Sequence, residues 1–456
     1  MDGLTELTAV HLAHLVAAGQ VSAREVVTAF LERIETVNPQ INAYPVVLAE
    51  TALAHAEQAD SRAARGEPLG ALHGVPFTVK LNIDVAGSAT TWAVPALAGN
   101  VAVADAPAVE RLRLAGGIPL ARSNMPDLAL RHDTDSSLHG RTVNPTRPGV
   151  TAGGSSGGEA AGLAARLSPL GLGNDLGGSL RSPAHCCGVY ALRPTPGVVP
   201  DAASTVPDVP DLAAQLMNVQ GPMARSVADL GLALDVMSGV HHRDPASVPR
   251  PPWAAESTRR VAVLADGVCG TVSPEAAAAI TTAADRLADA GYEVVETNPP
   301  HWDDAVHGWH QLTATVLASQ AELITAVAGE GARTFISMTG ADPLEAVALM
   351  ALLANRTRWS RAWATALGDI DVLLAPVWTQ AAFADDLDLA DPAHVLSIIA
   401  PGLPAAFLGR PVATVPVASV DAATDPGAGT TFGVQLIGAR FREDLCLVAA
   451  RHLQEA

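Results

Sequence analysis

The chain has 456 residues, longer than one typical domain, and 49% of them are apolar against 16% charged, which supplies a large core and excludes a disordered chain. A formal charge of −19, from 28 basic and 47 acidic residues, argues against a nucleic-acid binder, which concentrates Lys and Arg on one face, and reads as a soluble surface.

In chain order, residues 1–70 read as helical. Ser22 with Glu25 has the capping-box pattern, followed by Val26, Val27, Phe30, Ile34 and Val37 at helical spacing, and Asn38-Pro39 is expected to stop that helix. A second helix is expected over 46–65, ending at Gly66. The core segment, 71–240, opens with the β-type run Val75-Pro76-Phe77-Thr78-Val79, which delivers Lys80 at its end. A helix with Val109, Leu112 and Leu114 leads through Gly116-Gly117 into a strand at 118–121. Residues 144–158, rich in Gly, Pro, Ser and Thr, read as a loop, and such a loop carries function when a rigid scaffold holds it. Region 241–300 begins as a Pro-rich connection (241–260) and continues as strand 261–265, helix 274–290 and strand 292–296, a βαβ-like unit. Region 301–456 holds a mostly helical stretch (305–368), strand-like runs at 370–375, 411–418 and 431–437, and a helix from about 442. The fold class is α/β: one large domain, 1–456, with a mixed central sheet covered by helices on both faces.

Cys186, Cys187, Cys269 and Cys446 form no C-x-x-C pair, and the adjacent Cys186 and Cys187 are poorly placed to bridge each other. The N-terminus is acidic, and no run of about 18 uncharged apolar residues has the flanks of a membrane span. The expectation is a reduced, cytoplasmic protein with no membrane or nucleic-acid partner. Of the 28 basic residues, 27 are arginine, and the sole lysine is Lys80. Arginine cannot lose its proton in a protein, whereas a desolvated lysine amine can. The exception marks a place where arginine would not serve.

Two serine-bearing segments follow: Gly153-Gly154-Ser155-Ser156-Gly157-Gly158 and Asp175-Leu176-Gly177-Gly178-Ser179-Leu180-Arg181. Together with the run ending at Lys80, they resemble the three catalytic segments of the amidase-signature family. Asn124-Met125-Pro126, Asn144-Pro145, Cys187-Gly188-Val189, Arg193-Pro194-Thr195, Gly221–Val227 and Gly433–Gly438 fall in that family's order, so the resemblance spans nearly the whole chain. It implies that Ser179 is the nucleophile, Ser155 the bridging serine after a cis Gly154–Ser155 bond, and Lys80 the ultimate base. It also gives Gly154, Ser156, Asp175 and Arg181 loop-supporting roles, implies no cofactor or metal, and suggests a homodimer.

The chemistry stands beside the name. A serine hydroxyl is a weak nucleophile until a base takes its proton, and a lysine is a base near neutral pH only when burial lowers its pKa. Ser155 can relay the proton in two short hops, and the backbone amides of Leu176, Gly177, Gly178 and Ser179 can cradle the oxyanion. The expected activity is hydrolysis of C(O)–N bonds in a small-molecule amide or carbamate (an aryl or otherwise hydrophobic one), with hydrazides and esters also within the family's range. The alternatives are an amidotransferase subunit, which shares the triad, and an α/β-hydrolase with Ser155 in a G-x-S-x-G elbow and His394 or His452 as late base. Pro145, Pro148 and Gly149 argue against the strand that such an elbow needs.

Three finer expectations complete the reading. Leu81 stands where the family often has an acidic residue, and the loss of that carboxylate would help keep Lys80 neutral. His301, His307 and His310 with Asp303 and Asp304 lack the H-E-x-x-H spacing and read as a surface or pocket-lining helix rather than a metal site. Segments 128–140, 300–340 and 376–408 are expected to shape the substrate pocket, with Trp302, Trp309, Trp378, Phe383 and Phe407 either lining it or packing the core.

Overall fold

Eleven strands hydrogen-bond into one mixed sheet in the computed structural model, which describes residues 3–252, 257–339, 342–418 and 431–456. Across the sheet they run Val46–Val47, Ile118–Ser123, Pro76–Lys80, Leu170–Asp175, Val219–Ala224, Tyr190–Arg193, Val412–Ala418, Thr431–Gly438, Val372–Pro376, Arg260–Leu264 and Glu293–Thr297. Pro76–Lys80 lies parallel to both of its neighbours, Arg260–Leu264 is parallel to Glu293–Thr297 and to Val372–Pro376, and antiparallel pairs join the centre. Side chains alternate between the faces of a strand. Val372 and Leu374 belong to one hydrophobic cluster while Leu373 and Ala375 belong to another, so both faces of the sheet are buried. Among the described residues no helix is long and apolar enough to cross a membrane.

The first long helix, Ala23–Ile41, forms the expected capping box: the Ser22 hydroxyl accepts from the Glu25 amide, and the Glu25 carboxylate accepts from the Ser22 amide at 2.8 Å. It does not stop at Asn38-Pro39. Pro39 lies in the last turn, where few later amides remain to be disturbed, and the helix ends at Asn42 in the left-handed region (φ 49°). The second helix is shorter than expected, Ala49–Ala64, because Val46 and Val47 pair with the strand at 118–123. The predicted loop at 144–158 ends early, since helix Gly157–Ala164 begins inside it. The βαβ-like unit is present as Arg260–Leu264, Pro274–Asp289 and Glu293–Thr297. Trp253–Glu256 of the Pro-rich connection and Gly340 of the pocket segment lie outside the described residues.

Candidate active site

Two neighbouring parallel strands, Pro76–Lys80 and Leu170–Asp175, end at the same edge of the sheet and bring Lys80 beside Asn174. The Lys80 ammonium nitrogen is fully buried and donates to Ser155 Oγ and to Asn174 Oδ1, each at 2.7 Å. Burial lowers its pKa to about 7, against the opposing pull of Asp175 and Glu159. The amine is therefore poised to be neutral near physiological pH.

Glu159 is one of those two carboxylates, and it extends from helix Gly157–Ala164 into the interior. It accepts hydrogen bonds from Thr78 Oγ1 and from Ser123 Oγ, the latter at 2.5 Å. Burial raises its pKa to about 7 despite those bonds and the nearby Lys80. From the sequence Glu159 had no assigned role. Asn174 gave no signal of its own, although it directly precedes the Asp175 segment.

The Ser155 position is built by its neighbours. The Gly154–Ser155 peptide is cis, as the resemblance implied. The Thr134 hydroxyl donates to the Gly153 carbonyl at 2.7 Å. Ser156 ties the two serine segments together, its amide donating to the Ser179 carbonyl at 3.2 Å and its hydroxyl to the Asn174 carbonyl at 3.4 Å. Ser179 is partly exposed, and its hydroxyl makes no hydrogen bond among the described residues. The Lys80–Ser155 contact is thus formed, whereas no Ser155–Ser179 hydrogen bond is.

Asp175 organises the loop that carries Ser179. Its carboxylate accepts from the amides of Gly178 (2.8 Å) and Leu180 (3.2 Å), from Arg181 Nε and Nη2 (3.0 Å each), and from Arg193 Nη1 (3.2 Å). Burial alone would push its pKa up, but Arg181 and Arg193 hold it well below the usual carboxylate range. Arg181 also reaches Gln435 Oε1 at 3.1 Å and the Gly402 carbonyl at 2.5 Å, anchoring the loop to the far half of the chain.

The expected oxyanion cradle is reduced by one donor. The Gly178 amide is occupied by Asp175, whereas the amides of Leu176, Gly177 and Ser179 have no acceptor among the described residues. Gly178 adopts φ 124°, a conformation open to glycine. At Gly177 a Cβ would come within 2.3 Å of the Trp309 ring, and Trp309 Nε1 donates to the Leu176 carbonyl at 3.1 Å. Trp309, on helix Trp302–Ser319, therefore lies directly against the loop. The other candidate aromatics are core: Trp302 stacks on Trp363, Trp378 stacks on Phe383 and donates to Ser182 Oγ at 2.9 Å, and Phe407 is fully buried.

The competing constellations do not assemble. His394 is exposed, and His452 lies 3.4 Å from the Tyr292 hydroxyl, so neither approaches Ser155 within hydrogen-bond reach. His301 pairs with Asp304 at 2.7 Å on the surface, while His310 is half-buried and kept neutral by burial, its pKa lowered to about 4. Asp133, Asp386 and Asp388 converge, but Arg131 and Arg141 are bonded among them.

Comparison with known proteins decides the family. The Amidase family model matches residues 25–447. The chain belongs to the amidase family. It is 37% identical over 456 residues to an indoleacetamide hydrolase from Bradyrhizobium diazoefficiens (strain JCM 10833 / BCRC 13528 / IAM 13628 / NBRC 14792 / USDA 110), a match covering 98% of this chain and 86% of the relative. It is 31% identical to a glutamyl-tRNA(Gln) amidotransferase subunit of Synechococcus sp. (strain WH7803), covering 96% and 95%. Its fold superposes on the solved 6-aminohexanoate cyclic dimer hydrolase in complex with substrate at a TM-score of 0.85 and 29% identity, over 99% of this chain and 97% of that one. The single α/β domain with its mixed sheet is the amidase-family fold.

Proposed function

We propose that this amidase hydrolyses the C(O)–N bond of small apolar or aryl amides through an acyl-enzyme on Ser179. The observation that carries the reading is the 2.7 Å contact between a fully buried Lys80 and Ser155. Neutral Lys80 takes the Ser155 proton as Ser155 takes that of Ser179, and Ser179 Oγ attacks the carbonyl carbon. The free amides of Leu176, Gly177 and Ser179 receive the developing oxyanion. On collapse of the adduct, the proton held on Lys80 returns through Ser155 to the departing nitrogen, which leaves as the amine or, from a primary amide, as ammonia. Water then enters along the same path, and the carboxylic acid departs.

An apolar substrate is supported by Trp309 at the nucleophile loop and by the indoleacetamide named for a relative. Carbamates and esters present the same carbonyl and belong in the same substrate panel. A reducing, cytoplasmic setting fits four free cysteines. The amidotransferase relatives keep a role within a multi-chain complex as the second reading. Purified chain alone, given indoleacetamide, aryl amides, carbamates and esters, separates the two. The proposal expects turnover without any partner, and a Ser179→Ala variant at least about 10⁴-fold slower. Turnover only with a partner protein, or an active Ser179→Ala, would count against it.

A further inference from the structure

Away from the serines, the face of helix Ala346–Ala366 that carries Arg356, Thr357, Ser360 and Arg361 meets Leu408 and Arg440 around a cavity of about 240 Å³. None of these residues belongs to the triad or the nucleophile loop. A fourth guanidinium, that of Arg410, is close enough to Arg440 to be repelled by it and sits 5.1 Å over the Trp363 ring.

The charge balance of this cluster is unusual for a chain of net charge −19. Arg356 donates to two carbonyls, those of Phe407 at 2.5 Å and Leu216 at 3.0 Å. Arg410 donates to the Gly438 carbonyl at 3.2 Å, and its buried Nε has no acceptor among the described residues. None of Arg356, Arg361, Arg410 and Arg440 forms an ion pair with a carboxylate among the described residues; the nearest attraction is that of Glu443 on Arg440, and Glu443 Oε1 is bonded to the Thr195 amide at 2.7 Å. Burial and mutual repulsion act together, since Arg440 adds to the burial penalty of both Arg356 and Arg410. Like charges gathered around a cavity are relieved by a counter-charge placed between them. Guanidinium forks offer paired N–H donors that match the oxygens of a phosphate or carboxylate. The hydroxyls of Thr357 and Ser360 line the same space and add neutral donors.

We infer that the cavity between Arg356, Arg361 and Arg440 is a binding site for a small oxyanion, a phosphate or carboxylate group, separate from the catalytic serine. Its volume admits an inorganic phosphate or one acidic group of a small metabolite, with Arg361 and Arg440 reaching in from exposed positions and Arg356 fixed at the base.

The test is calorimetric titration of the full chain with inorganic phosphate and, separately, with acetate and citrate, at an ionic strength held constant with chloride. The comparison is a double variant, Arg361→Ser with Arg440→Ser. Both side chains are exposed, so folding is retained, and unchanged amide turnover verifies it. The expected result is saturable binding to the wild type of phosphate, of a carboxylate, or of both, weakened about 10-fold or more in the double variant; which anion binds identifies the source. No binding of any of the three, or equal binding to wild type and variant, overturns the inference.

Discussion

At Lys80 the difference between two basic side chains decides whether the buried group can shed its proton. A guanidinium buried in the same place would stay charged, whereas the ammonium, held between Ser155 and Asn174, titrates near neutrality. This much was legible in the sequence, because a chain with a single lysine singles that lysine out. What shapes its environment was not legible. Leu81, expected to spare Lys80 a neighbouring carboxylate, is buried against Ala93 and Met125, and the negative charges acting on Lys80 come from Asp175 and Glu159, distant in sequence. Two substitutions should move the amine's titration in opposite directions. Glu159→Gln removes a charge that favours the ammonium, so the acidic limb of kcat/KM against pH should shift to lower pH. Asn174→Asp places a carboxylate on the amine, so that limb should shift to higher pH by about one unit or more. Profiles of kcat/KM report the free enzyme's ionisations, and identical limbs in all three proteins would remove Lys80 as the titrating base.

Among elements, the legible ones were those whose periodicity and caps agree with their tertiary setting: Ala23–Ile41 with its capping box, and the strand–helix–strand run from Arg260 to Thr297. The central strands Leu170–Asp175 and Val219–Ala224 were not. One carries Gly171 and Gly173, the other Gly221 and Pro222, residues that weaken strand propensity, and pairing with each other and with their outer neighbours across the sheet makes them strands. The segments that carry Lys80, Ser155 and Ser179 were readable, with Asp175 and Arg181 as local braces, but the braces from distant parts of the chain were not. Arg131 shows the point. Its guanidinium, 2% exposed, donates to Asp388 at 2.7 Å and to Asp386 at 2.8 Å, fastening the stretch before the cis bond to a segment some 250 residues later. Arg131→Met should leave the buried Asp388 carboxylate without its cation and lower stability by about 3–5 kcal/mol. Urea unfolding measures this, and an unchanged midpoint would show that the brace is dispensable.

On the scale of the molecule, one sheet buried on both faces gathers the segments that carry Lys80, Ser155 and Ser179 and braces them with residues as late as Gln435. The α/β class and the mixed sheet were expected from the alternation of helices and strands, but the strand order, which crosses from residue 46 to residue 297 by way of residue 438, is a product of long-range pairing. In the proposed mechanism this architecture keeps the Lys80 amine dry beside the Ser155 hydroxyl. The most direct measurement is the rate at which a fluorophosphonate labels the enzyme between about pH 5 and about pH 9, since labelling reports nucleophile activation without substrate recognition. The account predicts an adduct on Ser179, formed at a rate that climbs with an apparent pKa of about 7 and then levels off. A pH-independent rate, or an adduct on any other residue, would contradict it.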